Sequence, residues 1–259
     1  MSEFLGMPAP RPRARAGGAP VPPPRDVRER AAELRSGREP YVLATVVRAQ
    51  RPTSAKAGDR ALVLADGTVE GFVGGHCALD TVRAQGLKLL EFRRPGQATL
   101  LRITPEEGEP REEEGLVAVG QPCLSGGTLE IFLEAVLPPV LVHVYGETPI
   151  ARAFAEVGRA LGYQVETSAD PWAPIAADTG AVLVASHGVS EEPVLRAALT
   201  AGVPYVGLIA SRRRGAAVLA GIDGGERVRV PAGLNLGART PGEIAVSVHA
   251  EIIQLGVRS

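Results

Sequence analysis

Cysteine is nearly absent from this chain: Cys77 and Cys123 are the only two in 259 residues. Two thiols cannot build a disulfide framework, so the small stapled secreted folds are excluded and a reducing cytoplasm is the expected compartment. They lack C-x-x-C spacing, and with only 4 histidines to help them no tetrahedral zinc site is expected, nor any other metal site. Lysine is equally scarce, with Lys56 and Lys88 alone among 28 basic residues. That arginine bias, like the abundance of alanine, glycine and proline, is a habit of composition and points to no function. The net charge of −1 removes the electrostatic case for nucleic acid or an anionic membrane surface. No apolar run approaches the length of about 20 residues that a bilayer requires.

What is present is ample apolar material, 45% of the residues, in a chain longer than a typical single domain. Two modest domains are expected. Residues 1–25, rich in Pro, Gly, Ala and Arg, carry no secretory h-region and are expected to be a disordered tail. Residues 26–137 read as an α/β domain. A short amphipathic helix over 26–36 precedes a β-branched strand, "YVLATVVRAQ". "RALVLADGTVEGFVGG" then reads as a hairpin turning at Asp66-Gly67. A helix follows His76, with Gly86 awkward in its middle. The acidic stretch "ITPEEGEPREEEGLV" reads as a solvated loop, and "GTLEIFLEAV" alternates like a half-buried strand. "LPPV" marks the boundary. Residues 138–259 alternate strand and helix, which predicts a Rossmann-like, doubly wound parallel sheet. The last helix carries Thr240, Pro241 and Glu243 as a capping box.

Three groups of residues carry possible chemistry. "VHVYGETPIARAF" stands where a dinucleotide loop belongs, but Gly146, Thr148 and Ala151 occupy the three fingerprint positions. The middle glycine is missing and Glu147 adds negative charge, so NAD(P) binding is doubtful. "ASHGVSEE" and "LIASRRRG" follow predicted strands, at the edge where open sheets bind ligands. His187 lines that edge; Ser211 caps a helix; Arg212 and Arg213, with Arg214 beside them, suit a phosphate or another oxyanion. Their plain alternative is a solvated basic helix end. Finally, each cysteine lies near a glycine pair: Gly74-Gly75 before His76 and Cys77, and Gly126-Gly127 after Cys123. A thiol at a helix start feels the positive end of the dipole, which favours thiolate. Buried small hydrophobes remain the alternative for both.

"VLATVVRAQRPTSAKAGDRALVLADGTVEGFVGGHC" and "GQPCLSGGTLEIFLE" resemble the two glycine-cysteine blocks of the XdhC/CoxF family. "VPYVGLIASRRRGAAVL" and "PAGLNLGARTPGEIAVSVHAEII" are similar to its carboxyl-terminal blocks. The resemblance implies an accessory chaperone rather than a catalyst. Such a factor binds molybdenum cofactor, supports its sulfuration and delivers it to a xanthine or carbon monoxide dehydrogenase. It implies the hydroxylase large subunit and a cysteine desulfurase as partners, a homodimer, and Cys77 and Cys123 as functional thiols. Gly74, Gly75, His76, Gly126, Gly127, Gly146, His187, Ser211, Arg212 and Arg213 would then contact the cofactor. An NAD(P)-dependent oxidoreductase and a silent scaffold between desulfurase and target are the competing readings.

Overall fold

The computed structural model describes residues 26–91, 96–106, 108–121 and 126–257. The tail read over residues 1–25 and the second cysteine, Cys123, lie outside the described residues.

Asp26 accepts a hydrogen bond from the Arg28 amide at 2.9 Å and so starts helix α1 (Val27–Ser36). Arg38, in the left-handed region (φ 58°), turns the chain into β1 (Tyr41–Gln50). β2 (Arg60–Leu64) and β3 (Val69–Gly71) form the expected hairpin. Its turn is held by Asp66 Oδ1, which accepts from the Thr68 amide at 2.8 Å, and by Gly67 at φ 83°. Helix α2 (His76–Glu91) leads to β4 (Ala98–Thr104), β5 (Arg111–Glu113), β6 (Leu116–Gly120) and β7 (Thr128–Val136). The sheet runs β3-β2-β1-β7-β4-β6-β5, antiparallel except for β4 beside β6. Helix α2 covers one face, packing Ala78, Val82 and Leu90 with Val42, Val63 and Ile131. Helix α1 covers the other, where Leu34 meets Tyr41 and Leu62.

Two features depart from the sequence reading. Gly86 does not weaken α2: a Cβ there would stand 3.0 Å from Val63 Cγ2, so the glycine brings the helix against β2. The acidic stretch is not wholly a loop, because Arg111–Glu113 is an exposed edge strand paired to β6. Charge on an edge strand keeps it from pairing with another chain, which is why its composition mimics a loop.

The second domain contains β8 (Leu141–Tyr145), α3 (Pro149–Ala160), β9 (Gln164–Ser168), β10 (Thr179–Val184), α4 (Glu191–Thr200), β11 (Tyr205–Leu208), α5 (Arg212–Leu219) and α6 (Pro241–Gln254). Its sheet is parallel throughout, in the order β11-β10-β8-β9. β8 and β10 are buried along their whole length, as strands covered on both faces must be. Helices α3 and α6 close one face around Phe154, Val248 and Ile252; α4 and α5 close the other around Leu195 and Ala198. Each such buried side chain contributes about 1.5–3 kcal/mol. The capping box opens α6 as read: the Glu243 amide donates to Thr240 Oγ1, and the Thr240 amide to Glu243 Oε2.

The two domains meet at Arg38. Arg38 donates to Asp178 at 2.6 Å, to the Pro139 carbonyl at 2.8 Å and to Gln164. Pro139, Gln164 and Asp178 precede or begin β8, β9 and β10, so the junction lies at the amino-terminal edge of the second sheet.

His249 is buried between α6 and α3, stacked 4.0 Å from the Phe154 ring, with Tyr163 tilted beside it at 5.7 Å. Its Nε2 donates to the Phe154 carbonyl at 2.9 Å, while Nδ1 is buried without a partner. Burial pushes its proton affinity down, and does the same at buried His143, where Glu166 opposes the effect. As pH falls, the unfolded chain therefore takes up these protons first. Stability is fully present above about pH 6.5 and declines as pH falls below it toward the folded values. Thermal melts between about pH 8 and 5 are expected to show that fall, with a shallower one in His249→Phe; equal slopes would mean the His249 ring titrates normally.

Candidate functional site

The register of the first sheet gathers its loops at one edge. Gln50 at the end of β1 pairs with Thr128 at the start of β7, and Thr104 at the end of β4 with Gly120 at the end of β6. The loop over residues 51–59, the Phe72–Gly75 approach to α2, and the chain on either side of residues 122–125 all leave from this edge. Cys77 is the second residue of α2, half-buried, beside exposed His76, and no acidic side chain occupies that first turn. One turn on, the Thr81 hydroxyl stands 3.1 Å from the Cys77 carbonyl and 2.6 Å from Gln121 Oε1. That contact ties the end of β6, two residues before Cys123, to the helix that carries Cys77. Thr81 and Gln121 are site residues that the sequence reading missed; only the register of β6 reveals them.

The glycine pairs do more than leave room for a ligand. Gly74 adopts φ 138°, and a Cβ on it would press on Ala78 and Leu129 at 3.1 and 3.2 Å. On Gly127 a Cβ would stand 2.2 Å from the Pro52 carbonyl oxygen, and Gly126 sits at φ 66° beside the same proline. These three glycines draw the 51–59, 72–77 and 126–128 segments together. Gly75 alone meets nothing within 4 Å, so its face is the open one. The cradle is therefore a packed loop cluster in which, among the described residues, Gly75 next to His76 and Cys77 keeps open space beside it.

The remaining candidates stand elsewhere. Gly146, His187, Ser211, Arg212 and Arg213 follow β8, β10 and β11, at the carboxyl edge of the second sheet. Within this group the dinucleotide turn is closed. The Thr148 hydroxyl donates to the Ala185 carbonyl at 2.8 Å and accepts from the Ala151 amide at 3.2 Å, capping α3 with its own side chain. A Cβ on Gly146 would stand 2.4 Å from the Ala185 oxygen, so that glycine serves the contact between strand ends. Thr148 thus occupies one amide at that helix start and Pro149 supplies none, although a space of about 440 Å³ beside Gly146, Glu147, Ala151 and Thr167 stays open.

Farther along the same edge a crevice of about 620 Å³ remains open, and His187, Ser211 and Arg212 border it with the 231–238 loop. Arg213 is exposed and does not border it. Arg214 is committed to structure: Nη1 donates to Glu191 Oε2 and Nη2 to the Ile209 carbonyl, both at 2.6 Å. Glu191, buried, also accepts from the Gly188 amide at 2.9 Å and from Ser186 Oγ at 3.2 Å. That ion pair fixes the loop on which His187 holds φ 57°. Glu191 was not singled out in the sequence, although an acid in the first turn of a helix is favoured by the dipole.

The candidates thus fall in two groups, each at the end of its own sheet away from the junction between the domains. The domains meet beside Tyr41 and Val136, at the far end of β1 and β7 from the thiol edge. They also meet at the end of the second sheet opposite its crevice. The 10 residues of β1, at about 3.3 Å each, alone put about 30 Å between the junction and the thiol edge.

A mixed sheet with its loops gathered around a half-buried thiol, joined to a doubly wound domain whose dinucleotide turn is closed, defines a two-domain α/β protein with a Rossmann-like carboxyl-terminal half. Family comparison gives that class its place. The model of the XdhC Rossmann domain matches residues 142–252 and that of the XdhC and CoxI family residues 34–103; the chain belongs to this family. The uncharacterized protein YqeB of Escherichia coli (strain K12) is 28% identical over 258 residues, covering 87% of this chain. The match takes in 45% of YqeB, so the chain spans less than half of that relative. A solved structure described as a xanthine dehydrogenase from Bacillus halodurans is 17% identical, covers 88% of this chain and 94% of its own, and superposes with a TM-score of 0.43. Among the described residues no helix is long and apolar enough to cross a membrane.

Proposed function

We propose that this chain is an accessory factor for a molybdenum hydroxylase of the xanthine or carbon monoxide dehydrogenase type. It holds molybdenum cofactor as cargo at the thiol edge of the first sheet while the terminal sulfur is installed, and then delivers it to the hydroxylase large subunit. A cysteine desulfurase supplies the sulfur, and the factor works as a homodimer in the cytoplasm. The observation that carries the reading is the convergence of both glycine-cysteine blocks on one sheet edge, tied through Thr81 and Gln121. A soft thiol suits molybdenum or the sulfur in transit, and exposed Gly75 beside it leaves space for a bulky cargo. Family membership supports the same role.

The test is anaerobic loading of purified protein with molybdenum cofactor, followed by desalting. Wild type is expected to retain the cofactor. Cys77→Ala, with an unchanged circular dichroism spectrum, is expected to retain it about 10-fold less firmly or worse, the scale on which losing a residue at a metal site acts. Retention by Cys77→Ala and Cys123→Ala alike, with full activation of the target, would remove the thiols from the function.

A further inference from the structure

The crevice at the carboxyl edge of the second sheet is not part of the thiol edge. Each lies at the end of its own sheet away from the Arg38 junction. The crevice nevertheless has the marks of a ligand site. Its volume of about 620 Å³ falls in the range of about 300–1,000 Å³ usual for small-molecule pockets. Arg212 borders it, exposed and with no carboxylate in ion-pair reach among the described residues, while its neighbour Arg214 is engaged with Glu191. His187 and Asn235 add polar groups, and Leu234, Leu236 and Ile244 give an apolar wall against which a flat ring can lie. Leu236 is 59% exposed, a large apolar side chain with little protein cover.

The crevice is also built in advance. The amide of Gly233 and the phenol of Tyr205 both donate to Glu251 Oε2, at 2.8 and 2.7 Å, and the Leu234 amide donates to the Ser247 carbonyl at 3.1 Å. These bonds hold the 231–238 loop on α6. Burial, aided by Glu251, keeps the Tyr205 phenol protonated well above its ordinary range, so this support does not titrate near neutrality. On the side toward β8 lies a separate space of about 440 Å³, bordered by Gly146, Ala151 and Thr167 but also by the carboxylates of Glu147 and Glu156, and the helix start beside it is capped by Thr148.

We infer that this crevice is a second ligand site, independent of the thiol edge, and that it takes a mononucleotide: one phosphate at Arg212 and one flat base on the leucine wall. The reading predicts a single-phosphate ligand in a fold associated with dinucleotides, because Thr148 caps the helix start where a pyrophosphate would be held and Glu147 adds negative charge beside it.

Calorimetric titration of the full chain tests it, with AMP, GMP, CMP and UMP as probes beside adenosine, inorganic phosphate and NAD⁺. At least one mononucleotide is expected to saturate the protein, its nucleoside to bind about 10-fold more weakly or worse, and NAD⁺ to bind no tighter than AMP. Arg212→Ala is expected to weaken the mononucleotide about 10-fold or more, while the exposed neighbour in Arg213→Ala leaves it unchanged. Cys77→Ala is expected to bind the mononucleotide as wild type does, which separates this site from the cargo reading. Absence of saturable binding by all four mononucleotides overturns the proposal, as does NAD⁺ binding far more tightly and without regard to Arg212. Molybdenum cofactor also ends in a phosphate on a ring system. A loss of cofactor retention in Arg212→Ala equal to that in Cys77→Ala would mean the crevice serves the cargo, and would overturn its independence.

Discussion

Replacing Glu191 by alanine is expected to destabilise the second domain by about 3 kcal/mol, seen as a lower urea midpoint with an unchanged slope. The carboxylate is 4% exposed and carries three bonds: the Arg214 guanidinium at 2.6 Å, the Gly188 amide at 2.9 Å and Ser186 Oγ at 3.2 Å. It also stands in the first turn of α4, where the preceding residue, Ser190, makes no side-chain cap and holds φ 46°. The acid therefore faces the positive end of the helix dipole, while its bonds tie down the Ser186–Gly188 segment ahead of the helix. Truncation leaves the Gly188 amide unpaired and Arg214 with only the Ile209 carbonyl, and an unpaired charge is the costly result. Arg214 is 34% exposed, which lets water recover part of the loss and sets the figure at the low end of the range for buried pairs. Glu191→Gln keeps the shape and two acceptor bonds, and is expected to lose about half as much. Because the same bonds set the His187 loop, mononucleotide affinity is expected to fall in Glu191→Ala although the side chain does not border the crevice. A midpoint equal to that of wild type would show that Arg214 and the loop find other partners.

The fold was open to reading where physical rules act locally. Asp66-Gly67 can make only a tight turn, Thr240 and Glu243 spell a reciprocal cap, and alternating apolar strands and amphipathic helices dictate a wound parallel sheet. It was closed where register decides. Nothing in "REEEG" distinguishes an edge strand from a loop, since both are exposed and charged. The site divides in the same way. Composition and order identify the glycine-cysteine blocks and the strand-end residues, but which of them meet depends on strand direction. Antiparallel pairing of β1 with β7 brings Gln50 to Thr128, and thereby the two blocks to one edge. The junction at Arg38 lies away from the arginine-bearing edge of the second sheet, as it does from the thiol edge of the first. The glycines carry the same lesson: near a thiol they suggest a cradle, yet Gly74 and Gly127 are required by their own chain neighbours.

Gly146 extends that lesson to the closed dinucleotide turn, and Gly146→Ala is expected to cost about 3 kcal/mol. Two independent effects add. At φ 111° an alanine is held outside the conformations open to it, a strain of about 1–3 kcal/mol. Its Cβ would also stand 2.4 Å from the Ala185 oxygen, 2.8 Å from the Ala185 carbonyl carbon and 3.0 Å from Ser186 Cα, all of them main chain with no side chain to swing aside. The ends of β8 and β10 must part, and the 2.8 Å bond from Thr148 to the Ala185 carbonyl goes with them. Gly162→Ala is the control. Gly162 is also left-handed, at φ 81°, but a Cβ there meets nothing within 4 Å, so only the conformational cost of about 1 kcal/mol is expected. The difference between the two urea midpoints isolates the contact between the strand ends. Equal losses would mean that Gly146 is kept for its backbone angle alone, and that the turn is free to open toward a phosphate. A larger loss at Gly146 means the loop after β8 is spent on holding the ends of β8 and β10 together.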